Sequence, residues 1–127
     1  MKVFVRAIVL SLACLAQYAR AGETWVCTFV PSFSKVPMLV SYRVERDRIT
    51  QIWPSGEESQ FQLLQNNKYG LIGVSSISEI EANQRSPTVG AMTVLIGKQT
   101  KEFWLTSVIV GQPVAANEPV HGTCINK

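Results

Sequence analysis

Reactive side chains are sparse in this 127-residue chain: three cysteines, Cys14, Cys27 and Cys124, and a single histidine, His121. A Ser or Cys nucleophile needs a base held beside it. His121 precedes Cys124 by three residues, but an oxidised Cys124 has no nucleophilic sulfur, and the chain has no Gly-x-Ser-x-Gly sequence. His121 therefore reads as a turn or strand-edge residue. Glu118 and His121 are near neighbours, yet two ligands do not make a structural metal site. Glu57-Glu58 and Glu79/Glu81 would supply a glycosidase carboxylate pair only at the right separation, and carboxylates beside turns are usually solvated. No phosphate-cradling glycine loop or dinucleotide fingerprint occurs. The expectation is a protein that is not an enzyme, with no catalytic residue, no metal and no cofactor.

The three cysteines divide by position. Cys14 lies in a segment with Lys2 and Arg6 at its start, an apolar run from Ala7 to Ala16, and small residues at Ala19 and Ala21. That order reads as a secretory signal over 1–21, cleaved after Ala21. The run is too short for a membrane anchor, which must cross roughly 30 Å of hydrocarbon. Lipidation at Cys14 is the alternative, although Ser11 stands where such a signal carries Leu or a similar residue. Cleavage leaves a single domain over 22–127, periplasmic or secreted, with Cys27 and Cys124 near its ends. In an exported chain this pair reads as one disulfide.

Cleavage also changes the charge. The whole chain carries 12 Lys+Arg against 9 Asp+Glu. Lys2, Arg6 and Arg20 account for the excess, so the exported part is formally neutral. It lacks the net positive charge that phosphate neutralisation favours, and nucleic acid is not an expected partner.

The elements that position these residues read as strands. Beyond residue 21, Val, Ile, Thr and aromatic residues greatly outnumber Ala and Leu, and Gly and Pro punctuate the apolar runs. Alternation places Trp25, Cys27 and Phe29 on one face of a strand over 24–30. Met38, Val40, Tyr42 and Val44 do the same over 38–45. Further strands are expected over 48–53, 60–65 and 69–76, with 77–81 continuing as strand or a short helical turn. Residues 88–96 and 101–110 form a hairpin, and 120–125 is the last strand. About eight short strands in sequence order predict an all-β antiparallel meander. Such a sheet must close as a small barrel or sandwich to hide its edges and apolar face. The disulfide would tie its terminal strands.

Several features point to binding. Phe103 and Trp104 are adjacent, so a strand turns them to opposite faces. Phe103, Leu105 and Ile109 share one face, and Trp104, Val108 and Val110 the other. The hairpin is thus apolar on both sides, and its second side needs a cover: the chain's own 113–119 loop, a ligand or a partner. Trp53, before Pro54-Ser55-Gly56, is an aromatic at a loop base. It packs over a barrel end or grips a ligand. Arg43, Arg46 and Arg48, interleaved with Glu45 and Asp47, form a solvated hairpin end or a small anion site. The candidate binding residues are Trp53, Phe103 and Trp104.

The segments WVCTFV (25–30), NNKYGLIGV (66–74), SPTVGAMTVLIGK (86–98), FWLTSVIVG (103–111) and NEPVHGTC (117–124) resemble short exported proteins of rhizobial and related alphaproteobacteria. That resemblance implies no particular activity. In layout the chain is also distantly similar to the inhibitors of C-type lysozyme, small exported β-barrels with a disulfide. Their inhibitory loop has a Ser-Gly-x-x-Tyr pattern; here Ser55-Gly56-Glu57-Glu58 is followed by Ser59. The expected function is non-catalytic binding of a protein partner or a small apolar molecule. A structural or stress-related envelope protein acting by self-association and a lysozyme-type inhibitor are the alternatives. No transmembrane span is expected beyond residue 21.

Overall fold

In a computed structural model, which describes residues 22–77, 89–111 and 119–127, the alternating segments form eight strands. They are β1 (Glu23–Phe29), β2 (Met38–Val44), β3 (Arg48–Ile52), β4 (Glu58–Asn66), β5 (Gly70–Ile77), β6 (Gly90–Gly97), β7 (Glu102–Ile109) and β8 (Val120–Asn126). Each pairs antiparallel with its neighbours in sequence, and β8 pairs with β1, closing a barrel. Of the two expected architectures, the barrel is the one formed. Closure gives every strand a neighbour on both sides, although β7 meets β8 only over Glu102–Leu105. Residues 1–21, expected as a signal, most of 77–81, residues 82–87, expected as a loop, and residues 113–118 lie outside the described residues.

Register carries the in–out pattern around the wall. Trp25, Cys27 and Phe29 on β1 oppose Tyr42, Val40 and Met38 on β2. Ile49 on β3 opposes Val44 and Phe61. Leu71, Val94, Ile96, Phe103 and Leu105 complete a buried interior. The rings of Phe29 and Phe103 meet edge-on at 6.0 Å, and Tyr42 lies 6.2 Å from Phe103. Aromatic side chains thus fill the middle of the barrel, in geometries their quadrupoles favour.

Glycine makes room for these rings. Gly122 on β8 points inward, and a Cβ there would meet the Thr28 carbonyl oxygen, the Phe103 ring and the Phe29 Cβ. Gly73 on β5 would meet Ile49, Val94 and Phe61. Both positions exchange a side chain for close approach of large neighbours.

Cys27 and Cys124 face each other across the β1–β8 pair and are disulfide-bonded over a sequence separation of 97 residues. The bond lies at the seam where the barrel closes. For a loop of this length the chain-entropy model gives about 4–5 kcal/mol.

One end of the barrel holds the β2–β3, β4–β5 and β6–β7 turns and the start of β1; we call it the lower end. Glu23 ties it together. Its carboxylate accepts hydrogen bonds from Trp25 Nε1 at 2.9 Å and Lys98 Nζ at 3.1 Å, and Lys98 also donates to Asn66 Oδ1 at 2.6 Å. Three elements distant in sequence meet in this network. At the upper end, Trp53 is half-buried and meets Phe29 edge-on at 6.2 Å, covering the core.

Candidate functional site

Alternation that buries Phe103 and Leu105 turns Trp104, Thr106 and Val108 outward. The register places their neighbours. Ile72, Leu95, Trp104 and His121 form one row across β5, β6, β7 and β8. Val74, Thr93 and Thr106 form the next row, and Ser76, Ala91 and Val108 the one above. No Lys, Arg, Asp or Glu stands at any of these outward positions. Glu102, at the start of β7, marks the lower edge. The opposite wall, over β2–β4, turns out Arg43, Arg48, Glu58, Gln60 and Gln62. The barrel thus has a charged side and an uncharged one.

Trp104 is the centre of the uncharged wall. It is 42% exposed and stacks on His121, with ring centroids 4.1 Å apart and an interplanar angle of 25°. Glu102 Oε1 lies 3.8 Å from His121 Nε2. Leu95 and Val108 beside it are exposed, at 40% and 67%. The stack fixes a large aromatic ring that stays partly exposed on the outer wall.

The three candidate binding residues therefore separate. Phe103 is fully buried in the core, and Trp53 covers the upper end against Phe29. Trp104 alone of the three belongs to the open wall. Ser55 and Gly56 stand at the exposed tip of the β3–β4 hairpin, where Gly56 has a φ of 88°.

Two features were beyond the reach of alternation. The wall extends into β5 through Ile72 and Val74, whose outward direction depends on the β5–β6 register. His121, read as an edge residue, is the stacking partner of Trp104. Both residues point outward from their own strands, but the sequence does not state which of their neighbours align.

A second place is concave. An open hollow of about 660 Å³ lies at the lower end, beneath the β2–β3 turn. Arg43, Arg46 and Arg48 line it together with Glu23, Glu45 and Asp47; Val44 and Leu63 give it apolar surface, and Gly22 and Asn66 flank it. Arg43 Nε and Arg48 Nε lie 3.3 and 3.0 Å from the Glu45 carboxylate. Glu23 and Lys98 form an ion pair at 2.9 Å. Burial alone would raise the Glu23 carboxyl, but hydrogen bonds from Lys98 and Trp25 and the Lys98 charge outweigh it, holding the group below its ordinary range.

In the interior, Gln51 Nε2 donates to Tyr42 Oη at 2.8 Å. Burial pushes the Tyr42 hydroxyl up to about 12, against the smaller opposing effect of that hydrogen bond. Among the described residues, no group of three His, Cys, Asp or Glu is placed to hold a metal ion, and no helix is long and apolar enough to cross a membrane. No protein family matches the chain, and comparisons with curated proteins and with solved structures give no match.

Proposed function

We propose that this chain is an exported, non-catalytic binding protein that engages a protein partner through the outer wall of β5–β8. The observation that carries this reading is the open, uncharged wall around Trp104, set over an interior already filled by the chain's own aromatic rings. A ligand-carrying barrel needs a lined cavity inside; a partner-binding barrel needs apolar surface outside. Trp is the residue type most enriched at interface hot spots, and truncating one commonly costs about 2 kcal/mol or more of binding. Export is supported by the basic and apolar order of residues 1–21 and by the disulfide, which suits an oxidising compartment.

The experiment is Trp104→Ala. Loss of the stack costs the free protein about 0.5–1.5 kcal/mol beyond the area that Trp104 buries, so folding of the variant is checked by its melting temperature. Partners recovered from the exporting cells by the parent chain are lost with the variant. A folded Trp104→Ala chain that retains the same partners contradicts the reading. Sequencing the exported protein tests the other half: it begins at Gly22.

Self-association is the second reading, and the absence of charge on the wall favours it specifically. An isologous contact sets a patch against itself, and an uncharged patch meets no like-charge repulsion there. Sedimentation of the exported protein then shows a dimer that Trp104→Ala reduces to monomer.

A further inference from the structure

The hollow at the lower end is separate from the β5–β8 wall, and its chemistry is different. Three arginines and three carboxylates line it, but Glu23 is already neutralised from outside by Lys98. Arg43 and Arg48 share Glu45, and among the described residues Arg46 has no ion pair. The local balance is a single positive charge, presented on planar forks that match a carboxylate. Leu63, half-buried, lies against the same space and is apolar, with the buried Val44 behind it. The volume of about 660 Å³ is typical of small-molecule sites, which span roughly 300–1,000 Å³.

We propose that this hollow binds a small amphipathic monoanion, a medium-chain carboxylate, with its head on the arginine forks and its stem on Leu63. The apolar side of the hollow favours a carboxylate with a hydrocarbon stem over inorganic phosphate, which has none to lay there. Gly22 is exposed at the lip of the hollow. Cleavage after Ala21 converts its amide into a free α-ammonium, which doubles the surplus charge. Processing therefore completes the site. This second step rests on the export reading; the arginine site does not.

The test is a titration of the exported, processed protein with octanoate, followed through the methyl NMR signals of Val44 and Leu63. Octanol and inorganic phosphate serve as comparisons. Saturable shifts are expected with octanoate, and at least tenfold weaker binding with either comparison. Arg46→Gln, a surface change whose melting temperature is checked to match the parent, weakens octanoate roughly threefold to fivefold, the effect of one exposed charge. The unprocessed 127-residue chain binds more weakly by a similar factor. Absence of saturable shifts at both methyls, or equal binding of octanol or phosphate, overturns the site. Equal affinity of processed and unprocessed chains overturns the role of the α-ammonium alone. A first residue other than Gly22 in the exported protein overturns cleavage after Ala21, and with it the role of the Gly22 α-ammonium, and leaves the Arg46→Gln result standing.

Discussion

Tyr42 shows how one polar contact is kept inside an apolar barrel. Its hydroxyl and the Gln51 amide are paired across β2 and β3, each beside buried neighbours. A buried hydroxyl without a partner is costly, and so is the amide left behind when the hydroxyl is removed. Tyr42→Phe keeps the ring against Phe103 but strands the Gln51 Nε2 donor. We predict a loss of about 1–3 kcal/mol, read by chemical denaturation at neutral pH. The pH dependence has a definite sign. The folded-state value lies above the ordinary 10, at about 12, so the neutral form is the one the barrel stabilises. The Tyr42 contribution is complete below pH 10 and is lost as pH rises towards 12. Tyr42→Phe therefore flattens that part of the alkaline limb of the stability curve.

At the scale of the strand, β8 is shaped by what it does not carry. Gly122 sits against the Phe103 ring and the Phe29 Cβ, with no space for a Cβ of its own beside the Thr28 carbonyl. Gly122→Ala is predicted to cost roughly 1–3 kcal/mol as an overpacking change, seen as a lowered melting temperature with the disulfide still formed. The strands themselves were readable. Period-two alternation over 38–44 puts Val40, Tyr42 and Val44 inside, where they are found, because an inward apolar face leaves the strand one choice. The Cys27–Cys124 pairing was readable by arithmetic, since setting aside Cys14, in the segment that reads as a signal, leaves two cysteines. The Trp104–His121 stack, the reach of the wall into β5 and the hollow were not. Each depends on how separate strands align, or on which turns share an end of the barrel. Gln51 was not readable either: a polar residue among inward positions looks outward until its partner Tyr42 is seen. Phe103 and Trp104 looked equivalent as neighbouring aromatics, and only the choice of face separates a core residue from a surface one.

The whole molecule is a barrel with three distinct regions. Its interior is filled, its β2–β4 side carries charge, and its β5–β8 side carries Trp104 among neutral residues. The disulfide and the Glu23–Lys98–Asn66 network close the seam and the lower end, so both surfaces are held on a rigid frame. A rigid presentation limits the entropy lost when a surface is engaged. The central claim is that the β5–β8 side is the one engaged. Photo-crosslinking in cells that make the protein tests it most directly. A photoreactive residue is placed singly at Leu95 or Val108 on the neutral side, and at Gln60 or Gln62 on the charged side. The account predicts covalent adducts from Leu95 and Val108 and none from Gln60 and Gln62. An adduct of foreign mass identifies a protein partner, and one of twice the chain mass identifies self-association. No adduct from Leu95 and Val108, or equal adducts from both sides, would contradict the account.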